Sequence, residues 1–193
     1  MTKLKVPVSA EDHAEGPENA PVTLVEYGDY ECPHCGHAYG IVKRLQKRFN
    51  EQLRFVFRNF PLTQAHPSAQ AAAEAAEFAA AHGKFWEMHD LIFENQARLD
   101  SGLLLELARK IGLSVPALSM ALEEGHFADR VRADFMGGVR SGVNGTPTFF
   151  LNGERYDGSW EYPELLLMID HALEAAIQGS SSGSVPHVEK RAG

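Results

Sequence analysis

Residues 22–36, Val-Thr-Leu-Val-Glu-Tyr-Gly-Asp-Tyr-Glu-Cys-Pro-His-Cys-Gly, constrain the fold more than any other stretch, because a β-rich run leads straight to the chain's two cysteines. Residues 22–27 read as a short strand. Pro33 brings a fixed φ and no N–H, both tolerated at the first turn of a helix, and Ile41, Val42, Leu45 and Phe49 recur behind it at helical spacing. Cys32 and Cys35 therefore stand where a strand hands over to a helix. A disulfide between them would close too short a loop to staple a fold, so their use is chemical or metal-binding.

The alternating run at 53–60 predicts a second strand, and with the helix between them the pair forms a right-handed βαβ unit. From residue 66 to about 140 there is no strand signal. Helical windows at 69–81, 85–95, 103–111, 116–123 and 127–139 follow one another with Gly or Pro punctuation. Strand character resumes at 148–151, and Asn152-Gly153 is a preferred two-residue hairpin pair, predicting a return strand at Arg155 and Tyr156. A last helix over 162–178 carries Leu166, Ile169, Leu173 and Ile177 on one stripe. The expected organisation is an arm at 1–20, an α/β unit built from 21–64 and 141–178, an inserted all-helical unit at 65–140, and a flexible Ser/Gly-rich tail at 179–193.

A chain of 193 residues with 44% hydrophobic content suits one domain, or one domain carrying a large insertion. The net charge of -8 argues against nucleic acid or an anionic lipid surface as partner, since both demand a basic face. No apolar window has the length of a membrane span, so no membrane insertion is expected. The opening Met-Thr-Lys-Leu-Lys-Val-Pro-Val lacks the apolar core of a secretory leader. The chain as written is therefore expected in the cytoplasm, or in the periplasm or another extracytoplasmic space if a leader has been removed.

At a helix start, unpaired backbone N–H groups and the positive end of the helix dipole favour a thiolate at Cys32, the predicted nucleophile. Cys35 lies one turn deeper on the same face, within disulfide reach, as the resolving thiol. His34 is placed to donate a hydrogen bond to the Cys32 thiolate. A depressed nucleophile pKa stabilises the reduced pair and makes its disulfide a stronger oxidant. Zinc is set aside, because Cys32, His34, Cys35 and His37 are too close in sequence to close a tetrahedron on one helical turn. No metal and no bound cofactor is expected beyond a redox-active Cys32–Cys35 disulfide.

The chain resembles the DsbA-type members of the thioredoxin superfamily on Pro-Val-Thr-Leu-Val-Glu-Tyr-Gly-Asp-Tyr-Glu-Cys-Pro-His-Cys at 21–35, Gly-Lys-Phe-Trp-Glu-Met-His-Asp at 83–90, and Val-Asn-Gly-Thr-Pro-Thr-Phe-Phe-Leu-Asn-Gly at 143–153. The resemblance implies a thioredoxin-like α/β fold, a central mixed sheet flanked by helices, with an inserted all-helical domain. It implies a protein thiol-disulfide oxidoreductase with an oxidising bias that acts on protein thiols and disulfides and is recycled by an unidentified redox partner. Cys32, Pro33, His34 and Cys35 match the redox motif. Pro147 matches the cis-proline opposite the cysteine pair, where Thr146 would pair with an extended substrate chain. Glu26 resembles the buried acid beneath the pair, taking the Cys35 proton with its own pKa raised by burial, and Arg58 is a candidate to neutralise it.

Around this centre, Tyr27, Tyr30, Phe60 and Phe149 are candidates for apolar surface offered to an unfolded substrate, with core packing the equal alternative for Phe60 and Phe149. His66, Trp86, His89 and Phe93 read as packing or capping residues. Two alternatives remain in view: a non-catalytic peptide-binding or chaperone-like module, and a glutathione-transferase-like relative, which would use a single nucleophile.

Overall fold

The computed structural model describes residues 2–181. Strand β1 is His13–Glu15, β2 Val22–Gly28 and β3 Leu53–Asn59; β4 is Thr148–Leu151 and β5 Glu154–Tyr156. They form one sheet in the order β1-β3-β2-β4-β5. β2 and β3 are parallel, with Val22 opposite Leu53 and Gly28 opposite Asn59, while β1, β4 and β5 join antiparallel. Helix α1, Pro33–Phe49, makes the crossover from β2 to β3. Five helices then precede β4: α2 Ala69–Ala80, α3 Phe85–Glu94, α4 Ser101–Lys110, α5 Val115–Glu124 and α6 Ala128–Arg140. Helix α7, Tyr162–Ser181, follows β5. The result is a thioredoxin-like α/β fold, a mixed sheet flanked by helices.

β2 is buried at every position but Thr23, and β3 at every position but Arg54, so neither strand shows the alternation of a half-exposed sheet. One apolar core runs from Leu24, Phe55 and Phe57 on the sheet through Leu45 of α1 and Met88 and Ile92 of α3 to Leu104, Leu107 and Leu118. Each such side chain contributes roughly 1.5–3 kcal/mol on full burial. A second cluster on the other sheet face joins Val25, Tyr27, Val56, Phe60 and Phe150. α6 covers it, with Phe135 stacked on Phe60 at 4.3 Å between centroids. The hairpin at Asn152-Gly153 carries positive φ at both residues, 48° and 82°, as a type I′ turn requires.

Four sequence expectations need correction. Residues 13–15 are not part of a simple arm: they form β1 against β3, His13 opposite Phe57, although His-Ala-Glu has no strand pattern of its own. The buried stripe of α7 is Leu165, Ile169 and Leu173, an i, i+4, i+8 row, while Ile177 is exposed. α7 also continues to Ser181, and residues 182–193 of the expected tail lie outside the described residues. Tyr27, Tyr30, Phe60 and Phe149 are all buried, so they are core and offer no surface to a substrate.

Candidate active site

Cys32 is the N-cap of α1, with extended backbone (φ -71°, ψ 120°), and Pro33 opens the helix. The Cys32 N–H donates to the Asp29 carbonyl at 3.1 Å, and the Gly36 N–H donates to the Cys32 carbonyl at 3.1 Å. The first turn carries no acidic residue to compete for the helix's positive end. Both cysteines are free and buried, while Pro33 and His34 are exposed.

The two thiols are driven apart electrostatically. Cys32 is lowered to about 5 by hydrogen bonding from the Cys35 thiol, by the Thr146 side chain and by the backbone N–H groups of Cys35 and His34, against the opposing effect of burial. Cys35 is pushed well above the ordinary thiol value by burial, by its bond to Cys32 and by the charge of Glu26. The Asp29 N–H donates to Cys35 Sγ at 3.4 Å and partly offsets this. At neutral pH the arrangement holds one thiolate beside one thiol.

The antiparallel register of β2 and β4 sets Tyr27 against Thr148, so Thr146 and Pro147 arrive beside the end of β2 from which the cysteine loop departs. The Thr146–Pro147 bond is cis. The Cys32 Sγ lies 3.4 Å from the Thr146 carbonyl oxygen, to which it donates only when protonated. Thr146 Oγ1 is buried and has no hydrogen-bond partner among the described residues.

Glu26 sits in β2 between Phe57 and Phe149 of the neighbouring strands, fully enclosed, and its Oε1 has no partner among the described residues. Burial, and the charge of Cys32, raise it to about 8, so it is largely protonated at neutral pH. Arg58 does not neutralise it. The guanidinium of Arg58 holds Asp12 through Nε and Nη2 (2.7 and 2.9 Å), the carbonyls of Val6 and Pro7, and the Tyr27 hydroxyl. All five of its N–H groups are thereby engaged.

The His34 ring differs from expectation too. It makes no hydrogen bond to Cys32 among the described residues and instead stands edge-on to Trp160, 6.1 Å between centroids. Its contribution to the thiolate is its backbone N–H. His37 pairs with exposed Glu161 at 3.2 Å. His89 is buried at the centre of an aromatic cluster with Phe57, Trp86 and Phe93, and its Nδ1 is 3.0 Å from the Tyr30 hydroxyl. Burial lowers His89 far below its ordinary value, so it is a neutral packing residue.

Two contributors escaped sequence reasoning. The Asp29 carboxylate, buried, accepts the backbone N–H groups of Glu31 and Leu62 at 2.8 Å each and His66 Nδ1 at 2.8 Å. An acid set between Tyr27-Gly28 and Tyr30, three residues before Cys32, was the available signal. Gln96 donates to the carbonyls of Tyr30 and Cys32, at 2.8 and 2.9 Å, and nothing local marks it.

Residues 9–171 match the sequence pattern of the Thioredoxin family. Among curated proteins, the chain is 44% identical over 182 residues to a Na(+)/H(+) antiporter NhaA 1 of Salinispora arenicola, covering 94% of this chain and 26% of that one. It is 41% identical over 191 residues to an NhaA 3 of Salinispora tropica, covering 98% of this chain and 29% of that one. The chain thus spans between a quarter and a third of the length of these relatives. Among solved structures it is similar to oxidised BdbD of Bacillus subtilis (28% identity, TM-score 0.75, 83% of this chain and 92% of that one). It also resembles a thioredoxin-like oxidoreductase of Silicibacter pomeroyi (25%, 0.72, 86% and 94%). Wolbachia pipientis alpha-DsbA1 shares the fold at 20% identity, with a TM-score of 0.78 over 91% of this chain and 96% of that one. With the matched pattern spanning β1 to α7 and these structural neighbours sharing its sheet and helices, the chain belongs to the thioredoxin family.

Proposed function

We propose that the chain exchanges disulfides with protein thiols through Cys32 and Cys35, with a bias toward oxidation. The observation that carries the reading is the split between the pair: Cys32 at about 5, Cys35 pushed far up directly behind it. In the reducing direction, the Cys32 thiolate attacks one sulfur of a substrate disulfide, forming a mixed disulfide and releasing the other sulfur as thiolate. Cys35 then loses its proton and attacks Cys32 Sγ, which closes the Cys32–Cys35 disulfide and releases the second substrate thiolate. Oxidation of a substrate dithiol is the same sequence reversed, and a separate redox partner must then remove two electrons from the pair.

In this scheme Glu26, when ionised, takes the Cys35 proton, Thr146 and Pro147 hold the substrate chain over Cys32, Pro33 shapes the first turn, and His34 supplies its N–H. A Cys32 thiolate stable well below neutral pH favours the reduced pair, which makes the disulfide an oxidant and suits the protein to an oxidising compartment. No metal or bound cofactor enters the scheme. No helix among the described residues is long and apolar enough to cross a membrane. We therefore assign the ion exchange named for the longer relatives to the parts of those proteins that this chain does not match.

The test is oxidative refolding and disulfide reduction of a model protein, with the reduction potential measured against glutathione. Cys32→Ser should abolish both activities, and Cys35→Ser should accumulate the mixed disulfide. Exchange surviving Cys32→Ser would sink the enzyme reading in favour of a peptide-binding module; a strongly reducing potential would overturn the oxidising bias.

A further inference from the structure

Gln96 opens a 3-10 turn, Gln96–Arg98, directly after α3, and belongs to the helical stretch between β3 and β4 rather than to the strands around the cysteines. Its Nε2 donates both of its hydrogens into the active-site loop, one to the Tyr30 carbonyl at 2.8 Å and one to the Cys32 carbonyl at 2.9 Å. The Cys32 carbonyl already accepts the Gly36 N–H, the first hydrogen bond of α1. The peptide planes on both sides of Glu31–Cys32 are therefore clamped by a residue 64 to 66 positions away in sequence.

Gly36 supplies an independent observation. It lies within α1, where glycine is less favourable than alanine, and its φ is not among the positive values that would require glycine. A Cβ on Gly36 would fall 2.2 Å from Gln96 Oε1 and 2.9 Å from its Cδ. The missing side chain thus makes room for the Gln96 amide.

Resting on the reading of Cys32 as nucleophile, we propose that Gln96 is a positioning residue. It holds the Tyr30 and Cys32 carbonyls so that the first-turn N–H groups of α1 point at the Cys32 sulfur, and Gly36 is the cradle that admits it. Gln96 does not touch the sulfur. It acts through the backbone and ties the reactivity of Cys32 to the placement of α3, whose Phe93 packs on Tyr30 at 4.9 Å.

The test is the pH dependence of Cys32 alkylation by iodoacetamide in the reduced full-length chain. Gln96→Met keeps the length and removes both donors. We expect its midpoint to rise by about one pH unit, with about a tenfold loss of alkylation rate below the midpoint. A control of comparable destabilisation, Leu118→Ala in α5, should leave the midpoint in place. If Gln96→Met does not fold, Gly36→Ala provides the same displacement from the other side and should shift the midpoint in the same direction. Where both fold, the double variant should shift no further than either single one. An unmoved midpoint in Gln96→Met, or additive shifts in the double variant, would overturn the proposal. A wild-type Cys32 that titrates like an ordinary thiol would instead count against the redox reading of the pair, so the two failures are distinguishable.

Discussion

The Sγ of Cys32 and the carbonyl oxygen of Thr146 lie 3.4 Å apart, though 114 positions separate the residues along the chain. A thiol donates to that carbonyl; a thiolate has nothing to donate. The Thr146 hydroxyl is buried with no hydrogen-bond partner among the described residues, and its side chain lowers Cys32, so it is the expected donor to the sulfur once the proton leaves. Thr146→Val keeps the shape and removes the donor. The Cys32 midpoint should rise from about 5, by about 1–2 pH units for a lost hydrogen bond to a charged group. Alkylation rate against pH reads this directly, and an unchanged midpoint would remove the hydroxyl from the thiolate's surroundings.

Stability of the reduced protein should depend on acid in a way the oxidised protein does not. With Cys32 at about 5 when folded against an ordinary 9.0, its stabilisation is fully present above pH 9, declines as pH falls through that window and is gone below 5. The reduced-minus-oxidised difference should therefore shrink between pH 8 and pH 5 by about 1.4 kcal/mol per unit. Denaturant midpoints of both forms measure it. A difference that stays flat with pH would mean that Cys32 is not held as a thiolate.

Glu26 has the opposite sign. Raised to about 8 from 4.5, it stays protonated in the fold while the unfolded chain ionises, so its cost to stability is nil below pH 4.5, grows up to pH 8 and levels off above. Glu26→Gln should be neutral at pH 4 and stabilising by several kcal/mol at pH 8, at about 1.4 kcal/mol per unit between. Equal effects at the two pH values would show that Glu26 is ionised inside the fold.

Asp29→Asn should weaken the hold on two backbone N–H groups and remove the charge facing His66. His66 is raised above 6.5 because its bond to Asp29 and the charges of Asp29, Cys32 and Glu31 outweigh the opposing effect of burial. Its contribution to stability is present below pH 6.5 and is lost as pH rises through the folded value. A proton NMR titration should show the His66 midpoint falling in Asp29→Asn, and a variant that titrates like wild type would rule out the pairing.

Two glycines in helices should respond oppositely to alanine. A Cβ at Gly138 in α6 would meet the Phe60 ring at 2.7 Å, whereas at Gly40 in α1 it meets nothing within 4 Å. Gly138→Ala should cost about 1–3 kcal/mol through overpacking. Gly40→Ala should stabilise by about 0.5–1 kcal/mol through helix propensity. Thermal or denaturant unfolding separates them, and a stabilising Gly138→Ala would mean that α6 does not press on the Phe60 ring.

Local chemistry is legible in the sequence where a short stretch decides its own conformation. Pro33 sets the first turn of α1, Asn152-Gly153 the hairpin, and the spacing of Ile41, Val42, Leu45 and Phe49 the buried face of α1. The α7 stripe was misread by one position, Leu166 for Leu165, because a row of leucines supports two faces and only docking on the sheet chooses between them. β1 was missed because its three residues are held by the open edge of β3 rather than by their own propensity.

By itself the sequence determined the strand-to-helix passage that carries Cys32 and Cys35, the α/β plan and the helical stretch within it, since these follow from periodicity and from backbone limits that act over a few residues. Tertiary structure alone decided the surroundings of the pair. Thr146 and Gln96 reach Cys32 from far along the chain, Asp29 is anchored by Leu62 and His66, Arg58 turns to Asp12 and away from Glu26, and the His34 ring turns to Trp160. Desolvation and hydrogen bonding at the sulfurs depend on what packs there, and that is a property of the assembled fold.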